Sequence, residues 1–324
     1  MDVPPVVKFL GNRIISIVIS LSFIVAFSFA VLWGVPGNYT ELMRAQYYAS
    51  QVVDTTSKEY QQIIKEFEER YGLDKPRHMQ IISFLGRAFT FTFGPGYRQP
   101  DVPLENIILN RLPTSLTLTF LSIGLATIVG LTLGSVAAFF RNTWIDYVVS
   151  GFSLVGQVIP VFVIAIFFKY LFAVQLKILP SLGWGEPKHA VLPVLAFSLG
   201  PMGGITRFMR ASMVSSLASN YVRTAYSKGL PRWRVVARHC IPNSLIPVVT
   251  IAAPQVATGL LGIVFIEQIF GIAGVGLLFG EGYNNRDYPQ VVATIYILSL
   301  AVMLANLVAD ILYSILDPRI RIEG

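Results

Sequence analysis

Five cations mark the stretch Tyr221–Pro242, YVRTAYSKGLPRWRVVARHCIP: Arg223, Lys228, Arg232, Arg234 and Arg238. From Ala211 to Ser244 no Asp or Glu stands near them in the chain to offset that charge. Fixed positive charge on a short, stiff segment offers another protein a handle to grip. A second group of residues is polar but uncharged. Gln157, Gln255, Thr258 and Asn306 stand inside long apolar runs. Each has the chemistry to line a path for a polar solute or to hydrogen-bond between packed helices, and residue type leaves both open.

Other chemistries are absent. The dipeptide Gly-Lys never occurs, so no P-loop is present to bind ATP, and no HExxH exists for a metalloprotease. The single cysteine, Cys240, excludes an internal disulfide framework and a cysteine-based zinc site. His78, His189 and His239 are too widely separated for a metal spacing. Gly151-Phe152-Ser153-Leu154 has a faint look of an intramembrane serine protease, but no histidine lies in any apolar run to act as base.

The elements that must hold these residues are membrane helices. Of 324 residues, 54% are hydrophobic and 13% charged, with mean hydropathy +0.61; soluble domains carry about a quarter charged residues. Ile14–Gly34 is uncharged and about one bilayer long. It is too long for a signal-peptide core and no small-residue cleavage site follows. Five further spans are predicted at Leu112–Phe140, Tyr147–Phe168, Ala190–Thr206, Leu245–Ile266 and Tyr288–Ala309. Pro and Gly in the fourth and fifth spans fit either broken helices around a cavity or close helix packing. The net charge of +7 gathers in loops on one side: Lys8, Arg13, Arg141, Arg207, Arg210, the five central cations, Arg319 and Arg321. The positive-inside rule places that side, with both termini, in the cytoplasm. This basic excess therefore points to the membrane and not to nucleic acid.

Val35–Arg111 differs in character, with nine Lys/Arg and nine Asp/Glu. Thr56-Ser57-Lys58-Glu59 fits a capping box. Tyr60, Ile63, Ile64, Phe67 and Tyr71 make one apolar stripe, Glu66 and Arg70 have ion-pair spacing, and Gly72 ends the helix. A helical cap outside the membrane is expected, serving either as a docking surface or as a shield. Asn38-Tyr39-Thr40 has the pattern of a glycosylation sequon by chance.

Within the basic stretch, Arg223–Lys228 reads as helix, Gly229 as its C-cap and Pro231 as the opening of a second helix. Here the sequence resembles the EAA loop of ABC importer permeases, EAA-x3-G-x9-I-x-L-P. Arg223-Thr224-Ala225 stands for EAA, Gly229 follows after three residues, and His239-Cys240-Ile241-Pro242 closes the pattern. It departs at Arg223, where the family has Glu, and at His239, where it has Ile. Tyr221-Val222-Arg223-Thr224-Ala225 with Lys228-Gly229-Leu230 is similar to the dipeptide/oligopeptide branch. So are Arg210-Ala211-Ser212-Met213, Glu267 with Gly274-Val275-Gly276-Leu277, Asn285–Pro289, and Leu316–Arg321. In the outer segment Tyr71–Pro76 and Arg111-Leu112-Pro113 also match, whereas Pro36-Gly37-Asn38-Tyr39 replaces the usual Pro-Gly-Asp-Pro.

The resemblance implies an all-α membrane protein: a type I ABC importer permease with six transmembrane helices. Its expected parts are 1–34 (N-terminus and first span), 35–111 (extracellular helical segment) and 112–324 (core permease domain with the coupling loop at 211–244). Tyr221, Arg223, Thr224, Ala225, Lys228, Gly229 and Leu230 are the implied ATPase-docking residues, and Gln157, Gln255 and Thr258 the candidate path. The implied partners are a second, homologous permease forming a heterodimer, two ABC ATPase subunits and an extracellular solute-binding protein. ATP and magnesium would belong to the ATPases, with no cofactor in this chain. Family members import peptides, nickel complexes or oligosaccharides. Readings from other classes are the intramembrane protease and a non-transporting membrane scaffold.

Overall fold

The computed structural model describes residues 5–35 and 58–316, and among these the regular elements are helical. In chain order they are α1 (Pro5–Gly34), α2 (Lys58–Tyr71), α3 (Arg77–Phe89), α4 (Leu104–Phe139), α5 (Trp144–Val158) and α6 (Val161–Phe168), which runs on as a π-helical segment to Gln175. Then follow α7 (Pro187–Leu217), α8 (Asn220–Ser227), α9 (Arg232–Val235) with a π segment to Cys240, α10 (Ile241–Phe270), α11 (Val275–Asn284) and α12 (Tyr288–Leu316). The residues Thr56 and Ser57, the sequon at 38–40, the segment 36–39 and the tail beyond 316 lie outside the described residues.

Four helices are long and apolar enough to cross a membrane, and six spans result if each of two bent pairs counts as one. The third predicted span is such a pair, α5 and α6, bent by 102°. The bend has a local cause. Ile159 precedes Pro160 and is pushed out of the helical region, to φ −80°, ψ 125°. By contrast α7 and α10 run through Pro193, Pro201, Pro247 and Pro254 without interruption. The prolines therefore do not break these helices; the second bent pair, at 70°, turns beyond Phe270, between α10 and α11.

Contact density divides the chain into two units. The first comprises Leu10–Pro113 and Gly274–Leu300. Its core is aromatic: Phe29 meets Phe84 edge-on at 5.5 Å, Phe84 lies 6.1 Å from Phe93, and Phe93 meets Tyr296 at 5.6 Å. Helix α2 buries Ile64 and turns Phe67 and Tyr71 onto Tyr97. Its exposed face departs from the expected pairing. Glu66 accepts from Gln62 at 3.0 Å, and Arg70 donates to the carbonyl of Pro100 at 3.0 Å. Asp287, 1% exposed, accepts from the amides of Arg98 at 3.0 Å and Gln290 at 3.2 Å. It thereby ties the 94–98 turn to the start of α12.

The second unit comprises Thr114–Ala273 with the chain ends Met1–Phe9 and Ala301–Gly324. Helix α7 is its centre, and small residues let its neighbours approach. A Cβ at Gly134 would meet Met209 and the Thr206 carbonyl at 2.6 Å; one at Gly203 would collide with the Ser153 carbonyl. Backbone-to-backbone contact of this kind is how helices associate where lipid removes the hydrophobic drive. One apolar cluster gathers Met202, Ile205, Met209 and Met213 of α7 with Val222, Ala225, Val235, Val236 and Cys240. The basic loop is therefore rooted in the core of this unit.

Candidate functional site

The basic loop is a built object. Helix α8 ends in a Schellman motif. Gly229 has φ +76°, its amide donates to Tyr226 O at 2.9 Å, and Leu230 N donates to Ala225 O at 3.3 Å. Leu230 packs beside Ala225 on the apolar cluster, which supplies the hydrophobic contact of the motif. A Cβ on Gly229 would meet nothing within 4 Å, so only the backbone conformation asks for glycine there.

Pro231 sits one place before the first helical residue, as N-cap with ψ 149°, and Arg232 is first in the helix. The second arm is not a separate short helix as the sequence suggested. Residues 232–240 pass through a π segment straight into α10, so the arm is an extension of a membrane-length helix. A π turn shifts register within a helix and recurs where a site must be aimed.

The loop has two faces. Val222, Ala225, Val235, Val236 and Cys240 face inward, and burial pushes the Cys240 thiol above its ordinary value, a packing group and not a nucleophile. Arg223, Thr224, Lys228, Arg232, Arg234 and Arg238 are exposed. Tyr221 and Tyr226 are each 41% exposed and Trp233 62%. Arg234 lies over the Trp233 ring at 5.2 Å. An exposed surface of cations and aromatic rings on a buried apolar base suits an acidic groove on a partner.

Two contacts fasten this surface, and a third joins the helices beside it. Arg232 donates to Phe139 O at 2.6 Å and stacks 4.3 Å from its ring centroid, tying the loop to the end of α4. Tyr221 and Ser216 share a hydroxyl bond of 2.5 Å. Arg210 and Asp146 form a two-pronged ion pair at 2.5 and 2.7 Å, with Asp146 2% exposed and also accepting from Asn142 N at 2.9 Å. The ion pair was not legible in sequence, since its partners lie 64 positions apart.

The polar groups at depth are partly assembled. Gln157 of α5 and Gln255 of α10 approach adjacent glycines of α7. Their amide nitrogens lie 3.1 Å from a Cβ built on Gly203 and 3.7 Å from one built on Gly204. Gln157 also lines a cavity of about 300 Å³ with Gly200 and Pro201. Gln255 Oε1 is buried without a partner among the described residues. Thr258 is exposed and turns its hydroxyl back to its own helix, to Pro254 O and Gln255 O. Sequence reasoning missed a second cavity, about 510 Å³, between the last turns of α7 and the first of α10. Its lining is uncharged and mixed: Ser212, Ser215, Ser216, Ser219, Tyr221 and Asn243 share it with the apolar Phe208, Ala211, Pro247 and Val248.

The protease reading meets a specific obstacle. Ser153 is 1% exposed and its hydroxyl donates to Val149 O at 2.7 Å in its own helix.

Comparison with known proteins completes the description of this site. Residues 130–322 match the family model described as binding-protein-dependent transport system inner membrane component. The dipeptide transport system permease protein DppB of Bacillus subtilis is 38% identical over 80% of this chain and 84% of its own length. The oligopeptide transport system permease protein OppB of Haemophilus influenzae is 33% identical over 97% of this chain and 99% of its own. Among solved structures, the MetNI methionine ABC transporter in an inward-facing conformation is similar in fold, with TM-score 0.56 and 16% identity over 65% of this chain and 96% of that one.

Proposed function

This chain belongs to the family of binding-protein-dependent transport system inner membrane components, and from that premise we propose that it moves peptides through a pore shared with a second permease. It is a multi-pass membrane protein and a permease subunit of an ABC importer, a pore component and not an enzyme. A partner permease, an ATPase and a binding protein go with that class. Our finer reading is a heterodimer of two similar permeases with two ATPases, which bind all the ATP and magnesium the machine uses. The substrate class rests on the two relatives, which carry dipeptide and oligopeptide transport in their names.

One observation carries the mechanism: the loop 220–240 buries its apolar face in the helix core and presents its cations outward. We assign Tyr221, Arg223, Thr224, Ala225, Lys228, Gly229 and Leu230 to ATPase docking. The exposed members make the contact, and Ala225, Gly229 and Leu230 set its shape. Gln157, Gln255 and Thr258 are assigned to the path, and the loop with both termini to the cytoplasm. Motion of the ATPases would enter α10 through the continuous second arm and α4 through Arg232.

The decisive experiment is reconstitution. With its permease, ATPase and binding-protein partners in liposomes, the chain should support ATP-driven uptake of a labelled tripeptide in preference to a trisaccharide. By itself it should neither hydrolyse ATP nor move solute. ATPase activity from the pure single chain, or oligosaccharide uptake without peptide uptake, would overturn the corresponding part. Orientation is checked in a Cys240→Ser background: an impermeant thiol reagent outside intact cells should label Asn285→Cys and spare Lys228→Cys.

A further inference from the structure

The first unit holds a cavity of about 490 Å³ whose position and lining fit neither the docking loop nor the path. Phe29 and Trp33 of α1 form one wall, and the turn before α3 forms another with Lys75 and Arg77. Glu68 and Asp74 complete a lining of two acids and two bases. Two features show that the wall is built. Gln80 donates to Leu73 O and Lys75 O and so fixes the turn. Arg77 stacks 5.3 Å from the Trp33 ring, which holds its guanidinium at the rim.

Depth comes from α1. Its uncharged stretch Ile14–Gly34 has 21 residues, about 32 Å of helix, against a hydrocarbon core of about 30 Å. Trp33 therefore stands at the boundary between hydrocarbon and headgroups, the level at which tryptophan collects in membrane proteins, with Phe29 one turn inside it. Helix α3 is fixed at that same level, because its Phe84 packs edge-on against Phe29 at 5.5 Å.

The outward face of α3 is apolar. Met79 is 50% exposed, Ile82 64% and Phe89 42%. Arg77 and Arg87 flank it. Phe91 extends the face under strain: it takes φ +55° at the position after the helix where glycine is usual, and it is 52% exposed. The left-handed backbone closes α3 in a Schellman pattern, Phe91 N donating to Ala88 O at 3.1 Å and Thr92 N to Arg87 O at 2.9 Å, and it leaves the ring turned outward. On α1 the exposed row Ile19, Phe23, Phe27 and Val31 lies within a helix long and apolar enough to cross a membrane. An amphipathic helix at the interface, with cations at its edge and aromatic rings below, is a lipid-binding arrangement.

We infer that this end of the first unit binds a phospholipid, with its acyl chains along the exposed faces of α1 and α3 and its headgroup in the Trp33 cavity. Lys75 and Arg77 receive the phosphate, Glu68 and Asp74 the primary ammonium of an ethanolamine-type headgroup. The inference rests on α1 crossing a membrane and is independent of what the pore carries.

Trp33 reports on the site directly. In the full chain with Trp144, Trp184 and Trp233 changed to Phe, brominated lipid is titrated into phosphatidylcholine bilayers. Brominated phosphatidylethanolamine should half-quench Trp33 at a mole fraction at least threefold below that of brominated phosphatidylglycerol or phosphatidylcholine. Glu68→Gln with Asp74→Asn should abolish that preference. Lys75→Ala, which keeps the Arg77–Trp33 stack, should raise the half-quenching point of all three lipids at least twofold. A spin label on Ile82→Cys, with Cys240→Ser, should relax more with oxygen than with a water-soluble reagent. Quenching that is equal for all headgroups and unchanged in the variants would reduce the site to ordinary lipid contact and overturn the inference. So would absence of quenching, the result expected if protein covers this end. A Trp33 response to soluble dipeptide and not to lipid would also overturn it.

Discussion

Arg232 donates to the main-chain carbonyl of Phe139 at 2.6 Å and lies 4.3 Å above the same residue's ring. One side chain thus reads both the end of α4 and its last aromatic group, and it belongs to the loop assigned to ATPase docking. The carbonyl is one of those a helix leaves unsatisfied at its C-terminus, where a cation is favoured.

At an exposed position such a contact contributes about 0.5–1 kcal/mol, so Arg232→Ala should loosen the link without unfolding the chain. The expected outcome is normal membrane level with binding-protein-stimulated ATPase reduced about two- to fivefold. Arg232→Lys should recover part of the loss, since an ammonium keeps the charge but not the planar stack. An unchanged ATPase in Arg232→Ala would show that α4 takes no signal through this residue.

Asp146 and Arg210 predict a different pattern, one of stability. Asp146 is 2% exposed and Arg210 31%, so removing Arg210 strands a buried carboxylate, while removing Asp146 leaves a guanidinium that water partly reaches. Asp146→Ala should destabilise by about 2 kcal/mol, since the Arg210 left behind is 31% exposed, with a lower thermal midpoint for the complex in detergent. Asp146→Leu combined with Arg210→Met should melt closer to wild type than Asp146→Ala, because no charge is left unpaired. A double variant melting below both single variants would contradict this account.

What could be read in the sequence was whatever depends on neighbours along the chain. Gly229 follows a helix that must end, and only the left-handed backbone closes it, so its role was legible. Ile159–Pro160 was visible as a dipeptide, but uncharged composition ran through it, and hydropathy carries no information on direction. The prolines of α7 and α10 had the reverse fate: each removes one N–H, and the helices continue around the loss. Glu66 and Arg70 had pairing distance along α2, yet the Pro100 carbonyl, 30 positions away, captured the arginine. The Gln157 and Gln255 approach to α7 needed the fold, because their target is a pair of glycines with no side chain to advertise it.

Asp287 gives a pH dependence whose sign follows from burial. Burial, the largest influence, raises its carboxyl above the ordinary range, against the lowering effect of the amides of Arg98, Tyr97 and Gln290. A folded-state value above the unfolded one means the folded form holds its proton more tightly. That contribution to stability is full below the unfolded value near 4, and is lost as pH rises through the folded value. Hydrogen exchange at the Arg98 amide should therefore quicken, beyond its intrinsic base-catalysed rise, as pH rises above the unfolded value near 4. Asp287→Asn should flatten that excess, while exchanging faster at low pH because its NH₂ cannot accept from both amides. A wild-type excess that falls with pH would reverse the assigned direction.

Gly229 offers the sharpest test of coupling. Its φ of +76° is reached by glycine at no steric cost, and a Cβ there would touch nothing within 4 Å. Any substitution therefore acts through the backbone alone, by about 1–2 kcal/mol for the left-handed conformation and more for a β-branched residue. Membrane helices do not unfold for so little, so Gly229→Val should reach a near-normal level and assemble. The strain is relieved by rotating φ, and that breaks the bonds from Gly229 N to Tyr226 O and from Leu230 N to Ala225 O. Helix α8 then swings relative to the arm that continues into α10, and Arg223 and Lys228 leave their aim. Uptake and stimulated ATPase, normalised to assembled complex, should fall at least tenfold in Gly229→Val and less in Gly229→Ala. Gly229→Asn should be the mildest, because asparagine tolerates this conformation. The ranking Asn, Ala, Val follows backbone preference and not side-chain size or polarity, so a different order would mean that the loop acts through surface contact at residue 229 and not through the geometry of its turn.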